Sequence, residues 1–375
     1  MRTLFIIDLI NELIKSGEFQ ALLGGYRRGE FPLKVEGAEG AFRHLLTAGL
    51  FGLQESPALM VFPRNRELRE SLLDFQAAEI PLGILPDWDI IPYSGQRGPL
   101  FKAGERLQTL TRLLTGEKLL VLASLRTFLS PVVNPEWLRE KLFAIRPGQE
   151  LDPAAIGDRL SRYGYLRVPL VQGPGEFALR GEVLDLFAPG APEAVRVVFE
   201  FDRVEEIKTF GPESQASREK IQEIYLSPCR EILWEEPRIR GLEAFLKGRG
   251  VKGGESLIDA LWETGSCPHE EFLFPLSFER PSFLGDYLGR DSLVFFAGWE
   301  RLTSQGESLR REYRDLYYRS AGNLPKPEFL LREPEEGLEL PRRGVRFYEI
   351  RGGGSFAFTV EGPRSFFGNI TYLKE

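Results

Sequence analysis

The sequence predicts an α/β protein in which a parallel-sheet domain is interrupted by a small α+β domain with an antiparallel sheet. Three observations predict it. In the first third of the chain, strand-length apolar runs alternate with amphipathic helices. Between about residues 165 and 210, short strands are separated by Gly-Pro, Pro-Gly and Asp-Arg turns without long helices. After Arg230, helical and strand-like stretches return. At 375 residues the chain exceeds what one hydrophobic core usually serves, so two or three domains are expected.

Taken in order, the apolar residues from Leu4 to Ile14 are interrupted by Asp8, Asn11 and Glu12 at helical spacing, and no small-residue cleavage site follows. This is an amphipathic helix rather than a signal peptide, and a cytoplasmic protein is expected. Residues 57–62 (PALMVF) read as a buried strand, and Asn65 as the N-cap of a helix carrying Leu68, Leu72, Leu73 and Phe75. A second helix from near Glu105 places Leu107, Leu110, Leu113 and Leu114 on one face, before a buried strand at 118–124. Pro131, Pro135 and Pro147 then punctuate a connector. Asp152-Pro153 reads as an N-cap with proline at the first helical position, and the short helix it opens ends near Gly164. Strand-like runs follow at 165–171, 176–179, 182–187, 195–201 and 204–210. Beyond them, 242–247 and 256–262 read as helices, 291–297 as a strand and 300–320 as a charged helix.

Composition excludes several function classes. Cys229, Cys267, His44 and His269 are the chain's two cysteines and two histidines, with no CxxC or HxxxH spacing. That argues against a structural zinc site and leaves little material for a Ser-His or Cys-His nucleophile. A formal charge of −7 argues against a broad grip on phosphate, although local basic patches remain open. The longest apolar runs, 119–123 and 293–297, are far too short to span a membrane. The carboxylate pairs Asp87/Asp89 and Glu205/Glu206 read as a solvated face or helix caps.

The most informative stretch is 171–190, VQGPGEFALRGEVLDLFAPG. Gly173-Pro174-Gly175 makes a tight turn, Phe177 and Leu179 alternate with Ala178, Arg180-Gly181 opens a second strand ending at Phe187, and Pro189-Gly190 turns again. From the residues alone this is a hairpin with an exposed arginine. The run PGEFALRGEVLDLF, continued by VRVVFEFDRVEEIKTFGPESQAS, resembles domain 2 of the transcription-repair coupling factors and of their relative UvrB. Upstream, LPDWDIIPY, GERLQTLTRLL and VLASLRTFLSP resemble the first domain of the same family, so the likeness covers most of residues 30–230. It implies a UvrB-like arrangement: a helicase-like domain 1a over 1–130, domain 2 over 131–229, domain 1b over 230–350, and 351–375 leading to further chain. It also implies a docking role, because domain 2 of these families binds UvrA through surface arginines and an aromatic. The matching positions are Arg167 in GYLRV, Arg180 in LRG and Phe187 in LDLF; Phe187, at a strand end, is equally readable as core.

Residues 35–46, VEGAEGAFRHLL, fall where the family carries its P-loop. Gly37 and Gly40 remain, but Phe42, Arg43 and His44 replace the last glycine, the lysine and the hydroxyl residue that cradle phosphate and magnesium. Ala297 and Gly298 match the positions of UvrB's Asp-Glu pair. The tyrosine-rich hairpin with which UvrB wedges into DNA is missing too, since Tyr93 and Phe101 are the only aromatics between Trp88 and Gly104. The resemblance therefore implies a non-catalytic adaptor that recruits UvrA. It would have no cofactor or metal, act as a monomer without a membrane, and meet RNA polymerase and DNA only through the rest of a longer protein. The competing expectation is a nucleotide- or DNA-handling enzyme of the helicase superfamily that tolerates an unusual glycine loop. The resemblance also suggests that the UvrA-binding face is covered within the full-length protein.

Overall fold

A computed structural model describes residues 6–96, 98–320, 324–350, 352 and 354–359. Leu4, Phe5 and most of the C-terminal segment lie outside these. Among the described residues, seven parallel strands form one sheet, in the spatial order Phe356–Ala357, Leu33–Glu36, Gly344–Tyr348, Val294–Phe296, Ala58–Phe62, Leu120–Ser124 and Leu82–Leu85. Parallel strands need crossovers, and the crossovers put helices on both faces. Every residue of Ala58–Phe62 and Leu120–Ser124 is accordingly buried. Leu59 and Val61 join a core with Leu107 and Leu110, while Met60 and Phe62 point the other way into a core with Phe19, Leu46 and Phe75. Strands from both ends of the chain share this sheet, so residues before 130 and after 230 build a single layer.

Several local expectations are corrected. Arg64, not Asn65, is the N-cap of helix Asn65–Ala77, and no side chain caps it. Leu73 is exposed because Leu68, Leu72 and Phe75 already define the core-facing stripe. The helix expected from Glu105 spans Leu100–Leu114, its entry set by Pro99. Pro135 does not punctuate a connector: it heads helix Pro135–Lys141, behind an Asn134 cap that accepts from the Trp137 amide. Asp87 is not on a solvated face; it is largely buried beside Arg126, at 3.4 Å.

The small unit is a six-stranded sheet in the order Leu166–Arg167, Glu176–Arg180, Val183–Phe187, Ala194–Glu200, Arg203–Phe210 and Ser217–Ile221. All its pairs are antiparallel except the first, where Leu166–Arg167 runs parallel to its neighbour. Only two residues of the run expected at 165–171 pair, because the chain leaves the sheet for the Gly173–Gly175 turn. Helix Pro153–Arg162, capped by Asp152 as expected, lays Ile156 and Leu160 against Phe177, Leu184, Leu186, Val197 and Phe199. Phe177 and Ala178 are both buried rather than alternating in and out: Ala178 lies on the opposite face, in a small cluster with Val171, Ala194 and Phe210. Arg180 ends its strand instead of opening the next, and Gly181 turns at φ 59°. Phe201, read as the end of a strand, has already left Ala194–Glu200.

The small sheet is held closely to the larger unit. A Cβ on Gly104 of helix Leu100–Leu114 would lie 2.3 Å from Cβ of Pro189, in the turn that leads from Val183–Phe187 to Ala194–Glu200. Nearby, the buried Arg106 donates to the buried Glu231, donates to the Pro86 carbonyl at 2.6 Å and stacks 4.6 Å from the Trp88 ring. Between Trp88 and Gly104 no described residue belongs to a strand. Tyr93 is spent internally, its hydroxyl donating to the Pro325 carbonyl and its ring packing on Tyr317.

Candidate docking face and glycine loop

One face of the small sheet packs on helix Pro153–Arg162; the other carries charged side chains. On that outer face Asp185, Arg196, Lys208 and Lys220 stand in direct cross-strand register. Asp185 is 0 % exposed, and its carboxylate accepts from two arginines. Arg196 binds it with two donors, Nε at 2.6 Å and Nη2 at 2.9 Å, and lies 4.8 Å from the Phe210 ring. Arg180 binds it through Nη2 alone, at 2.6 Å, leaving the rest of the guanidinium on a side chain that is 47 % exposed. Hydrogen bonding to Asp185 holds the Arg196 guanidinium above its ordinary range. Like charges placed directly opposite repel, and Glu206 relieves the repulsion by bridging Lys208 and Lys220.

Arg167 and Phe187 lie toward the other end of the hairpin. Arg167 is exposed on the sheet's first strand, paired with Phe177, and has no ion pair among the described residues. Phe187 pairs with Glu176 and is half-buried against the Ala178–Phe210 cluster. It is therefore neither wholly core nor wholly surface. Arg167, Arg180 and Phe187 share one sheet but are spread along it. Sequence reasoning missed Asp185 and Arg196. Their signal was the alternation of EVLDLF, which puts an acid among apolar neighbours at a position that cross-strand pairing must satisfy.

The glycine loop is built differently. Strand Leu33–Glu36 leads through Gly37 and Gly40 into helix Gly40–Gly52, at the carboxyl edge of the parallel sheet. Gly37 has φ 76°, and a Cβ there would come within 2.0 Å of the Phe358 carbonyl oxygen. The segment around Phe358 lies against this loop, with the Phe358 amide donating to the Glu36 carbonyl and its ring 5.7 Å from Phe42. Arg43 is buried, and its Nε has no partner among the described residues. Burial, then the neighbouring Arg301, holds its guanidinium below the ordinary range. His44 is buried between Phe62 and Phe75, with Nδ1 2.6 Å from Asp74 Oδ2. Burial lowers its pKa more than Asp74 raises it. Gly298, at φ 85°, fits closely beneath Arg301, which is paired with Glu67 and Glu349. Ala297 is fully buried, its amide donating to Val61. Among the described residues, no group of His, Cys, Asp and Glu is arranged to hold a metal ion, and no helix is long and apolar enough to cross a membrane.

Residues 143–231, which include the whole charged face, match the UvrB interaction domain family. Over 92 % of its length the chain is 29 % identical to the transcription-repair-coupling factor of Myxococcus xanthus, of which the alignment covers 30 %. It is 26 % identical to the corresponding protein of Borreliella burgdorferi over 91 % of this chain and 30 % of the relative. With the Bacillus subtilis protein it shares 25 % identity over 82 % of this chain and 28 % of the relative. The chain thus spans about three-tenths of the length of these curated relatives, in their N-terminal region.

Proposed function

We propose that this chain, a homologue of the N-terminal region of the transcription-repair-coupling factors with a UvrB interaction domain, is a non-catalytic docking module that recruits UvrA. The observation that carries this reading is Arg180. It is half-exposed on the open face of that domain and oriented from beneath by the fully buried Asp185. An arginine already held in place loses less freedom on binding, and arginine is enriched at interface hot spots. Half-buried Phe187 extends the face along the same sheet; exposed Arg167, in register with Phe177, lies at the sheet's edge on the helix-bearing side. RNA polymerase and DNA are engaged through parts of a longer protein, and the module itself acts as a cytoplasmic monomer.

The non-catalytic half of the reading is supported by the glycine loop, where Arg43 and His44 are buried within the protein and Phe358 lies over Gly37. A phosphate-binding loop needs open backbone amides and a lysine free to reach the terminal phosphates. ATP is therefore expected neither to raise the melting temperature nor to be hydrolysed. A nucleotide-dependent rise of several degrees would favour a helicase-superfamily enzyme instead. For the docking half, Arg180→Ala should weaken binding of UvrA by about 1–3 kcal/mol, measured by titration calorimetry. Competition by UvrB for the same UvrA sites is also expected. Unchanged affinity in the Arg167→Ala, Arg180→Ala double variant would sink the assignment of the face.

A further inference from the structure

Phe201 is 79 % exposed, more than any other large apolar side chain among the described residues. It occupies the first position of the two-residue turn between Ala194–Glu200 and Arg203–Phe210, with φ 57°. Tight hairpin turns that need a positive φ take glycine or asparagine there, and a bulky side chain in that region is strained. The exposed ring also gains no burial within the protein. Backbone geometry thus opposes phenylalanine at this position and packing does not reward it, and a residue that breaks local rules without an internal gain points to an external one.

The turn is braced. The Leu151 amide donates to the Asp202 carbonyl at 2.7 Å, and the Gly148 amide donates to the Val204 carbonyl at 2.7 Å. It also adjoins the turn that follows Arg180. The Phe199 amide donates to the Glu182 carbonyl at 2.8 Å, and the Phe201 amide donates to Glu182 Oε1 at 3.4 Å. Two neighbouring hairpin tips therefore present an oriented arginine and a projecting aromatic at the same end of the sheet. That pairing is typical of the few residues that dominate an interface.

We propose that Phe201 is an apolar anchor of the docking face, filling an apolar pocket on the partner beside the group that Arg180 engages. The inference rests on the docking reading above and takes UvrA as the partner. Phe187 lies on the same face toward the opposite end of the hairpin, so the partner would cover the sheet from one end to the other.

The test uses Phe201→Gly and Phe201→Asn in the full chain, with titration against UvrA and thermal melting of each variant. Both replacements relieve the positive-φ strain, so the melting temperature should hold or rise. Affinity for UvrA should nonetheless fall about tenfold. Loss of binding in a protein of equal or greater stability cannot come from misfolding. Affinity within about twofold of the unaltered chain, while Arg180→Ala still weakens binding, would overturn the anchor and leave the docking face standing. Failure of the unaltered chain to bind UvrA would remove both. Sedimentation covers the other occupant: a dimer of the unaltered chain that Phe201→Gly dissociates would assign the ring to a second copy and overturn the proposal.

Discussion

Two groups of cations face opposite ways in this molecule. At the glycine loop, Arg43 and His44 are folded into the protein, His44 onto Asp74 and Arg43 behind Arg301. On the small sheet, Arg180 and Lys220 reach outward, each with a terminal nitrogen paired to a carboxylate, Asp185 and Glu206 respectively. Residue type does not separate the two sites, because each has basic side chains near glycines. What separates them is what lies over the site. Helices and the segment near Phe358 cover the loop, whereas helix Pro153–Arg162 covers only one face of the small sheet. A buried cation stabilises its surroundings only when paired and is lost to any partner; an outward one held by a carboxylate is prepared for one.

The largest effect is expected at the base of the outward group. Asp185→Ala leaves Arg180 and Arg196 without their shared carboxylate and should destabilise the protein by about 3 kcal/mol in urea unfolding. UvrA binding should weaken with it. A variant as stable as the parent would show that the two arginines need no anchor and would break the contrast. At the loop, Gly37→Ala puts a Cβ against the Phe358 carbonyl at an unfavourable φ. A loss of about 1–2 kcal/mol is expected in thermal melts, with faster hydrogen exchange at the Phe358 amide. Unchanged exchange there would mean that the segment does not close the loop.

The smallest effect concerns His44. Because burial lowers its pKa below the ordinary 6.5, the unfolded chain takes up the proton first as pH falls. Stability should therefore decline below about pH 6.5, by at most about 1.4 kcal/mol per pH unit from this group. His44→Phe should flatten that part of the profile, read from urea midpoints at pH 7.5 and 5.5. An equally steep decline in the variant would place the titrating group elsewhere.

Much of this was legible in the residues. The runs PALMVF and KLLVLAS announced buried parallel strands because a strand covered on both faces must be apolar throughout. Strands Leu33–Glu36 and Gly344–Tyr348 were not announced: LKVE and GVRFY are short, and their polar residues break the apolar run. Arg180 stood out through its hairpin, but the carboxylate beneath it did not, because the partner of Asp185 is set by register and not by spacing along the chain.

By itself, the sequence determined the class of fold, the inserted small sheet and the bulky and basic residues Phe42, Arg43 and His44 that follow the glycines of the loop. Periodicity, turn chemistry and residue identity are local properties, so they can be read in one dimension. The tertiary structure alone decided which face of the small sheet stays open, which arginines share Asp185, and that Phe201 projects from a strained turn beside Arg180. Those are matters of what lies above a side chain, and only packing brings distant parts of a chain over one another.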